Sequence, residues 1–265
     1  MNAEKNRRNM LVDYYVFSGT GNTLKIAGHI TERLKELGAE VRLRKMEDGF
    51  SPREKGCVAG IAFPVAFFST YPLVLDFIDS LPRGDGAGIF LTCTMAGATF
   101  GLEGRFREKF IAKGWRPLGA AAFKMPGNYN DDITPAAKYE KLVKDSLAQA
   151  RRFADALHQG QASWGRGLPL IPALCESFVR GGRAMKFFNK HFPLSVDESV
   201  CINCGRCLGL CPVGAVTQTG RHPRIDLLKC QCCQRCAGFC PVHAIYVQGK
   251  HKAQYRAMDF EDFIR

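Results

Sequence analysis

The sequence has no apolar run approaching the ~18 residues that a membrane-crossing helix requires. Its longest candidate, residues 57–68, is interrupted by Gly60 and Pro64 and reads as a buried strand with its loop. No export signal is visible either. Lys5, Arg7 and Arg8 precede an apolar stretch at 10–17, but that stretch is short, contains Asp13 and lacks a small-residue cleavage site. The expected compartment is therefore the cytoplasm, where disulfides are rare and the 12 cysteines read as metal ligands. Despite a formal charge of +12, no run of five basic residues occurs. The charge reads as a dispersed, solvated surface, and no nucleic-acid binding is expected. Nor is there a nucleophile–base pair, a catalytic metal motif or a nicotinamide fingerprint, so no substrate site is assigned.

What is present is concentrated in the cysteines. Cys201, Cys204, Cys207 and Cys211 form a C-x2-C-x2-C-x3-C-P run, and Cys230, Cys233, Cys236 and Cys240 repeat it 29 residues later. Cluster irons are soft and want anionic sulfur. This spacing resembles that of bacterial ferredoxins, which hold [4Fe–4S] clusters and send the fourth Cys of each run to the other cluster. The resemblance implies one cluster on Cys201, Cys204, Cys207 and Cys240, and a second on Cys230, Cys233, Cys236 and Cys211. Zinc sites ordinarily use two CxxC pairs instead. Cys232 stands between two of these ligands, but the offset aligns it with Asn203 and aligns Cys233 with Cys204; Val213 with Val242 and Ala215 with Ala244 keep the same register. Cys57 and Cys93 fall in expected strands and read as small hydrophobes, and Cys175 receives no role.

Upstream, strand-like runs at 10–17, 40–46, 57–63, 87–93 and 118–124 alternate with helical patterns. That alternation implies an α/β fold with a doubly wound, five-stranded parallel sheet. Between the first strand and helix lies Ser18-Gly19-Thr20-Gly21-Asn22-Thr23. A glycine-rich loop at a helix N-terminus is an anion site. It is not a Walker A loop, which needs Gly-Lys-Ser/Thr, and the third glycine of a dinucleotide fingerprint would stand where Leu24 is. The hydroxyls of Ser18, Thr20 and Thr23 suit a terminal monophosphate. This loop resembles the FMN phosphate loop of flavodoxins. The resemblance implies that loops at the carboxyl ends of later strands reach the flavin ring. They would contribute Pro64, Val65, Phe67, Phe68 and Tyr71, then Thr92, Thr94 and Gly97, then Asn128 and Tyr129. Cys93 lies at the same edge, which adds a redox reading to its packing one.

As a whole the chain resembles a ferredoxin-fused flavodoxin. The domains expected are a flavodoxin-like one at 1–160, a helical connector at 161–195, a small α+β ferredoxin-like one at 196–249, and a tail at 250–265 with no clear pattern. The implied cofactors are FMN and two [4Fe–4S] clusters. The implied function is electron transfer between them and an external redox protein, an acidic one given the basic surface. The alternatives are a flavin-dependent reductase of a small substrate fed by the clusters, and a redox sensor that binds nucleic acid. In the connector, Phe178, Phe187, Phe188 and Phe192 mix with Arg180, Arg183, Lys186 and Lys190. That segment reads as a helix docking the two domains, in preference to one lying on a membrane surface.

Overall fold

The computed structural model describes residues 10–51, 54–128, 136–166, 170–249 and 255–264. Tyr129 and the first residues of the tail lie outside them. Five strands, Leu11–Val16 (β1), Glu40–Lys45 (β2), Val58–Pro64 (β3), Gly88–Met95 (β4) and Arg116–Lys124 (β5), form one parallel sheet in the order β2-β1-β3-β4-β5. That order is flavodoxin-like, and ligands of such sheets bind at the β1/β3 switch point. The intervening helices are Asn22–Glu36 (α1), Pro72–Ser80 (α2), Leu102–Ala112 (α3) and Ala136–Gln159 (α4).

Because side chains alternate along a strand, the buried strands feed two cores. Val12, Tyr14, Val16 and Phe90 pack under α1 and α4, whose Ile26, Ile30, Leu34, Ala150 and Phe153 close that face. Tyr15, Ile61, Phe63 and Leu91 face the other way, against Val74 and Ile78 of α2 and Phe106 and Phe110 of α3. Cys93 is fully buried in this second core, and burial pushes its thiol well up. It behaves as a small hydrophobe. Cys57 is buried too, and its thiol donates to Asp13 (3.4 Å).

The connector folds as two helices, Leu170–Arg180 (α5) and Arg183–His191 (α6). The single helix read across 178–192 does not form, because Gly181-Gly182 interrupts it and Gly182 takes φ 69. Both helices dock on the sheet-bearing part. Val179, Ala184 and Met185 enter the α2/α3 core. Glu176, buried, accepts from Arg105 (3.2 Å), Arg180 (2.9 Å) and Lys109.

Burial alone would raise the Glu176 carboxyl, but Lys109 and Arg180 outweigh it and hold the group below its ordinary value. A depressed carboxyl contributes stability above its unfolded pKa and loses it as pH falls through the folded one. Glu176→Gln is therefore expected to cost about 2 kcal/mol near neutrality. The gap between wild type and variant, read by thermal unfolding, should narrow below the ordinary value of 4.5. A gap independent of pH would contradict this.

Beyond the connector come Leu194–Val196 (β6), Arg206–Leu210 (α7), Val216–Thr219 (β7), His222–Ile225 (β8), Arg235–Gly238 (α8), Ile245–Val247 (β9) and Phe260–Ile264 (α9). Strand β6 pairs antiparallel with β9, and β7 with β8. The small sheet thus begins at Leu194, two residues before the boundary read from the sequence. The 29-residue repeat holds in the backbone as well. Asn203 and Cys232, Gly205 and Gln234, and Gly214 and His243 are equivalent pairs, and all six have positive φ between 51 and 73. Among the described residues no helix is long and apolar enough to cross a membrane.

Candidate cofactor sites

At the switch point lies a cleft of about 250 Å³, just below the usual range for small-ligand clefts. Ser18, Gly19, Thr20, Asn22 and Thr23 form one end. Pro64, Val65, Phe67 and Tyr71, then Thr94 and Asn128, form the walls. Four residues read as flavin contacts lie outside this lining. Gly21 sits at the back of the loop, against Met258. Phe68 is 55% exposed and meets Phe100 edge to face. The Thr92 hydroxyl is spent on Tyr14 (2.6 Å), and Gly97 stands clear of neighbouring side chains. Ala66, Met95, Ala96, Met125, Pro126, Gly127, Phe188 and Cys232 complete the lining.

Two features fit a phosphate at the closed end. Helix α1 starts at Gly21 (φ 99) with no side-chain cap and no acidic residue in its first turn. Among the described residues, no backbone carbonyl accepts from the N–H groups of Ser18, Gly19, Thr20 or Gly21. Uncapped N–H groups and the helix dipole together attract an anion. The loop is held from behind. Arg235 donates from Nε and Nη2 to the Ser18 carbonyl (3.0 and 2.8 Å), and the Ala257 N–H donates to the Thr20 carbonyl (2.8 Å). A trans peptide points its N–H opposite its C=O, so these contacts turn the Gly19 and Gly21 N–H groups away from Arg235 and the tail. The side chains are fixed too. Thr20 donates to Asn128 (2.8 Å), Thr23 and Thr94 share a bond (2.8 Å), and Asn22 bridges Pro126 (2.8 Å) and Tyr255 (3.1 Å).

At the ring end, Phe67 and Phe68 occupy the two central positions of a tight turn closed by Ala66 and Ser69, with φ 55 and 57. Two bulky residues in the left-handed region cost roughly 1–2 kcal/mol each. Such strain concentrates at binding sites. The turn directs Phe67 onto Phe188 of α6 (4.3 Å), so the connector helps to wall the cleft.

Two smaller cavities lie in the cysteine-rich part. One is lined by Cys201, Cys204, Cys207 and Cys240, and the other by Cys211, Cys230, Cys233 and Cys236. Cys232 lines neither; it faces the switch-point cleft and donates to Asn189 (3.0 Å). The Ala215 and Ala244 N–H groups, equivalent in the repeat, donate to the sulfurs of Cys211 (3.1 Å) and Cys240 (3.2 Å). Among the described residues, no three His, Cys, Asp or Glu side chains converge as one metal ion would require. A tetrahedral zinc with ~2.3 Å bonds needs that convergence, whereas a cubane spreads its thiolates over four irons. Burial pushes the Cys207 and Cys233 thiols up to about 11. Sulfurs so placed ionise only beside cations, which cluster irons supply. The donor set fits a cluster.

The second cysteine loop packs against the cleft. A Cβ on Gly19 would overlap the Cys233 carbonyl oxygen, and one on Gly238 would lie 3.1 Å from Thr20. The Gln231 side chain accepts from the Leu73 N–H (3.1 Å). Arg235 is buried, ion-pairs with Glu47 (2.5 Å), and lies over Phe17 and Phe263 (5.1 Å each). The tail segment was without a readable pattern, yet its Phe263 and Phe260 pack on Phe239 and Leu210. Arg235 meets the Ser18 carbonyl from 217 positions away, and no local periodicity announces such a contact.

Residues 194–217 match the 4Fe-4S binding domain family. No curated protein sequence matches the chain. Among solved structures, the chain is similar to a short-chain flavodoxin associated with a non-canonical PDU bacterial microcompartment (16% identity, TM-score 0.38, 58% of this chain and 99% of that one). It is also similar to a flavodoxin from the domain Archaea (12%, 0.41, 56% and 98%) and to two-electron reduced Megasphaera elsdenii flavodoxin (21%, 0.37, 52% and 99%). The chain thus joins a sheet of flavodoxin-like strand order to a segment of the 4Fe-4S binding type.

Proposed function

We propose that the chain is an electron-transfer protein that holds FMN in the switch-point cleft and two [4Fe–4S] clusters on the two cysteine quartets. Bound FMN supplies a centre that exchanges electrons singly or in pairs, and the clusters supply centres that pass them one at a time. The carrying observation is the wall between the sites: Cys232 lines the cleft, while its neighbours Cys230 and Cys233 line the second cysteine cavity. In this reading the Cys211, Cys230, Cys233 and Cys236 site is the flavin-side one. The other site is the outer one, because Ile202, Asn203 and Cys204 are exposed whereas Cys230, Cys232 and Cys236 are buried.

Each part of the chain has a task in this reading. The loop at 18–23 binds the phosphate, the turn at 66–69 and Phe188 exclude water from one side of the ring, and Arg235 keeps the two cofactor sites in contact. Domain limits follow the contacts, with the ferredoxin-like part beginning at β6 and the tail belonging to the interface. External exchange with a one-electron carrier protein then takes place at the exposed first loop. Anaerobic reconstitution should yield one FMN and about eight irons per chain. Protein that takes up zinc in preference to iron, or that binds clusters but no flavin, would overturn the reading.

A further inference from the structure

The two cysteine loops share the cluster spacing and differ at five positions inside it, one of which exchanges a glycine for a buried polar side chain. Gly205 in the first becomes Gln234 in the second. Gln234 is 1% exposed, lines the cavity of Cys211, Cys230, Cys233 and Cys236, and among the described residues has no hydrogen-bond partner at either its Oε1 or its Nε2. A buried carboxamide left unpaired carries the full cost of its desolvation. The position is also unfavourable for the backbone: Gln234 has φ 60, a conformation that glycine adopts freely in the first loop (Gly205, φ 73). A residue that is strained, buried and unsatisfied where its repeat partner is glycine marks a site completed by something else.

We propose that Gln234 is a hydrogen-bond donor to the flavin-side cluster and sets its reduction potential apart from that of the outer cluster. This rests on the electron-transfer reading above. The carboxamide N–H is the donor, and a cluster sulfur, richer in electrons after reduction, is the acceptor. Donation to the sulfurs stabilises the reduced, more negative form and raises the potential. No proton is transferred and no bond in the chain forms or breaks. The bound cluster would take up one electron from its redox partner and return it, and Gln234 would only hold the hydrogen bond. The first loop has no counterpart side chain, since a Cβ on Gly205 would meet nothing within 4 Å.

The test is an anaerobic redox titration of the reconstituted full-length protein, with iron and FMN content measured alongside. Gln234→Gly keeps the left-handed backbone without strain, so both clusters should be retained. The potential of one cluster should fall, shifting its one-electron equilibrium about tenfold, which is ~59 mV. The other should stay. Gln234→Asn keeps a carboxamide in a residue that tolerates positive φ, and should recover part of the shift. Two clusters with unchanged potentials in Gln234→Gly would overturn the assignment while leaving the electron-transfer reading standing. A shift that Gln234→Asn leaves whole would overturn it too. Wild-type protein holding neither flavin nor clusters would instead overturn the reading beneath it.

Discussion

Arg235→Ala is expected to destabilise the protein by about 3–5 kcal/mol, the cost of breaking a buried ion pair from one side. It would leave Glu47 largely buried without its cation, the Ser18 carbonyl without two donors, and Phe17 and Phe263 without the guanidinium between them. The same change should weaken FMN binding at least about tenfold, or ~1.4 kcal/mol, because the Ser18–Gly19 peptide would no longer be held. The repeat supplies an internal control. Arg206, the equivalent residue 29 positions earlier, lies over Phe260 at 4.2 Å and is only partly buried. A cation–π contact of that kind contributes about 0.5–1 kcal/mol, so Arg206→Ala should change stability slightly and FMN affinity not at all. Thermal unfolding and flavin titration of both variants check this. Equal effects would refute the assignment of Arg235 as the tie between the two sites.

The second large effect separates two adjacent cysteines. Cys233→Ala is expected to remove the flavin-side cluster and lower the iron content from about eight to about four per chain. Cys232→Ala should leave iron unchanged, since Cys232 lines the cleft and not the cysteine cavity. Its loss would free Asn189, which also donates to the carbonyls of Leu227 (2.7 Å) and Cys230 (2.9 Å), from one of three partners. Iron and sulfide analysis decides between them. Cys233→Ala retaining all its iron, or Cys232→Ala losing half, would reverse the choice of ligand.

These two predictions mark what the sequence made legible and what it did not. The parallel five-stranded sheet followed from alternation, because five buried β runs separated by amphipathic helices have few ways to pack. The cysteines group four and four around two cavities, and the 29-residue offset that aligned Cys232 with Asn203 reappears as a shared left-handed backbone. Arg235 was hidden, since an arginine between two cluster cysteines carries no local sign of which distant carbonyl it will meet. Phe188 and the tail were hidden for the same reason. Phe68, Thr92 and Gly97 are the opposite case: Phe68 and Gly97 lie in loops beside the cleft but outside its lining, and Thr92, on the same face of β4 as Thr94, lies two residues deeper, where its hydroxyl meets Tyr14. Loop position was readable; side-chain direction was not.

The central claim is that one chain passes electrons between its own flavin and its own clusters. The most direct measurement is photoreduction of the flavin in fully reconstituted protein under anaerobic conditions, following flavin and cluster absorbance together in time. Contact between the second cysteine loop and the cleft predicts that cluster bleaching follows flavin reduction at a first-order rate unchanged by dilution. A rate proportional to protein concentration, or clusters that stay oxidised beside a reduced flavin of lower potential, would contradict it.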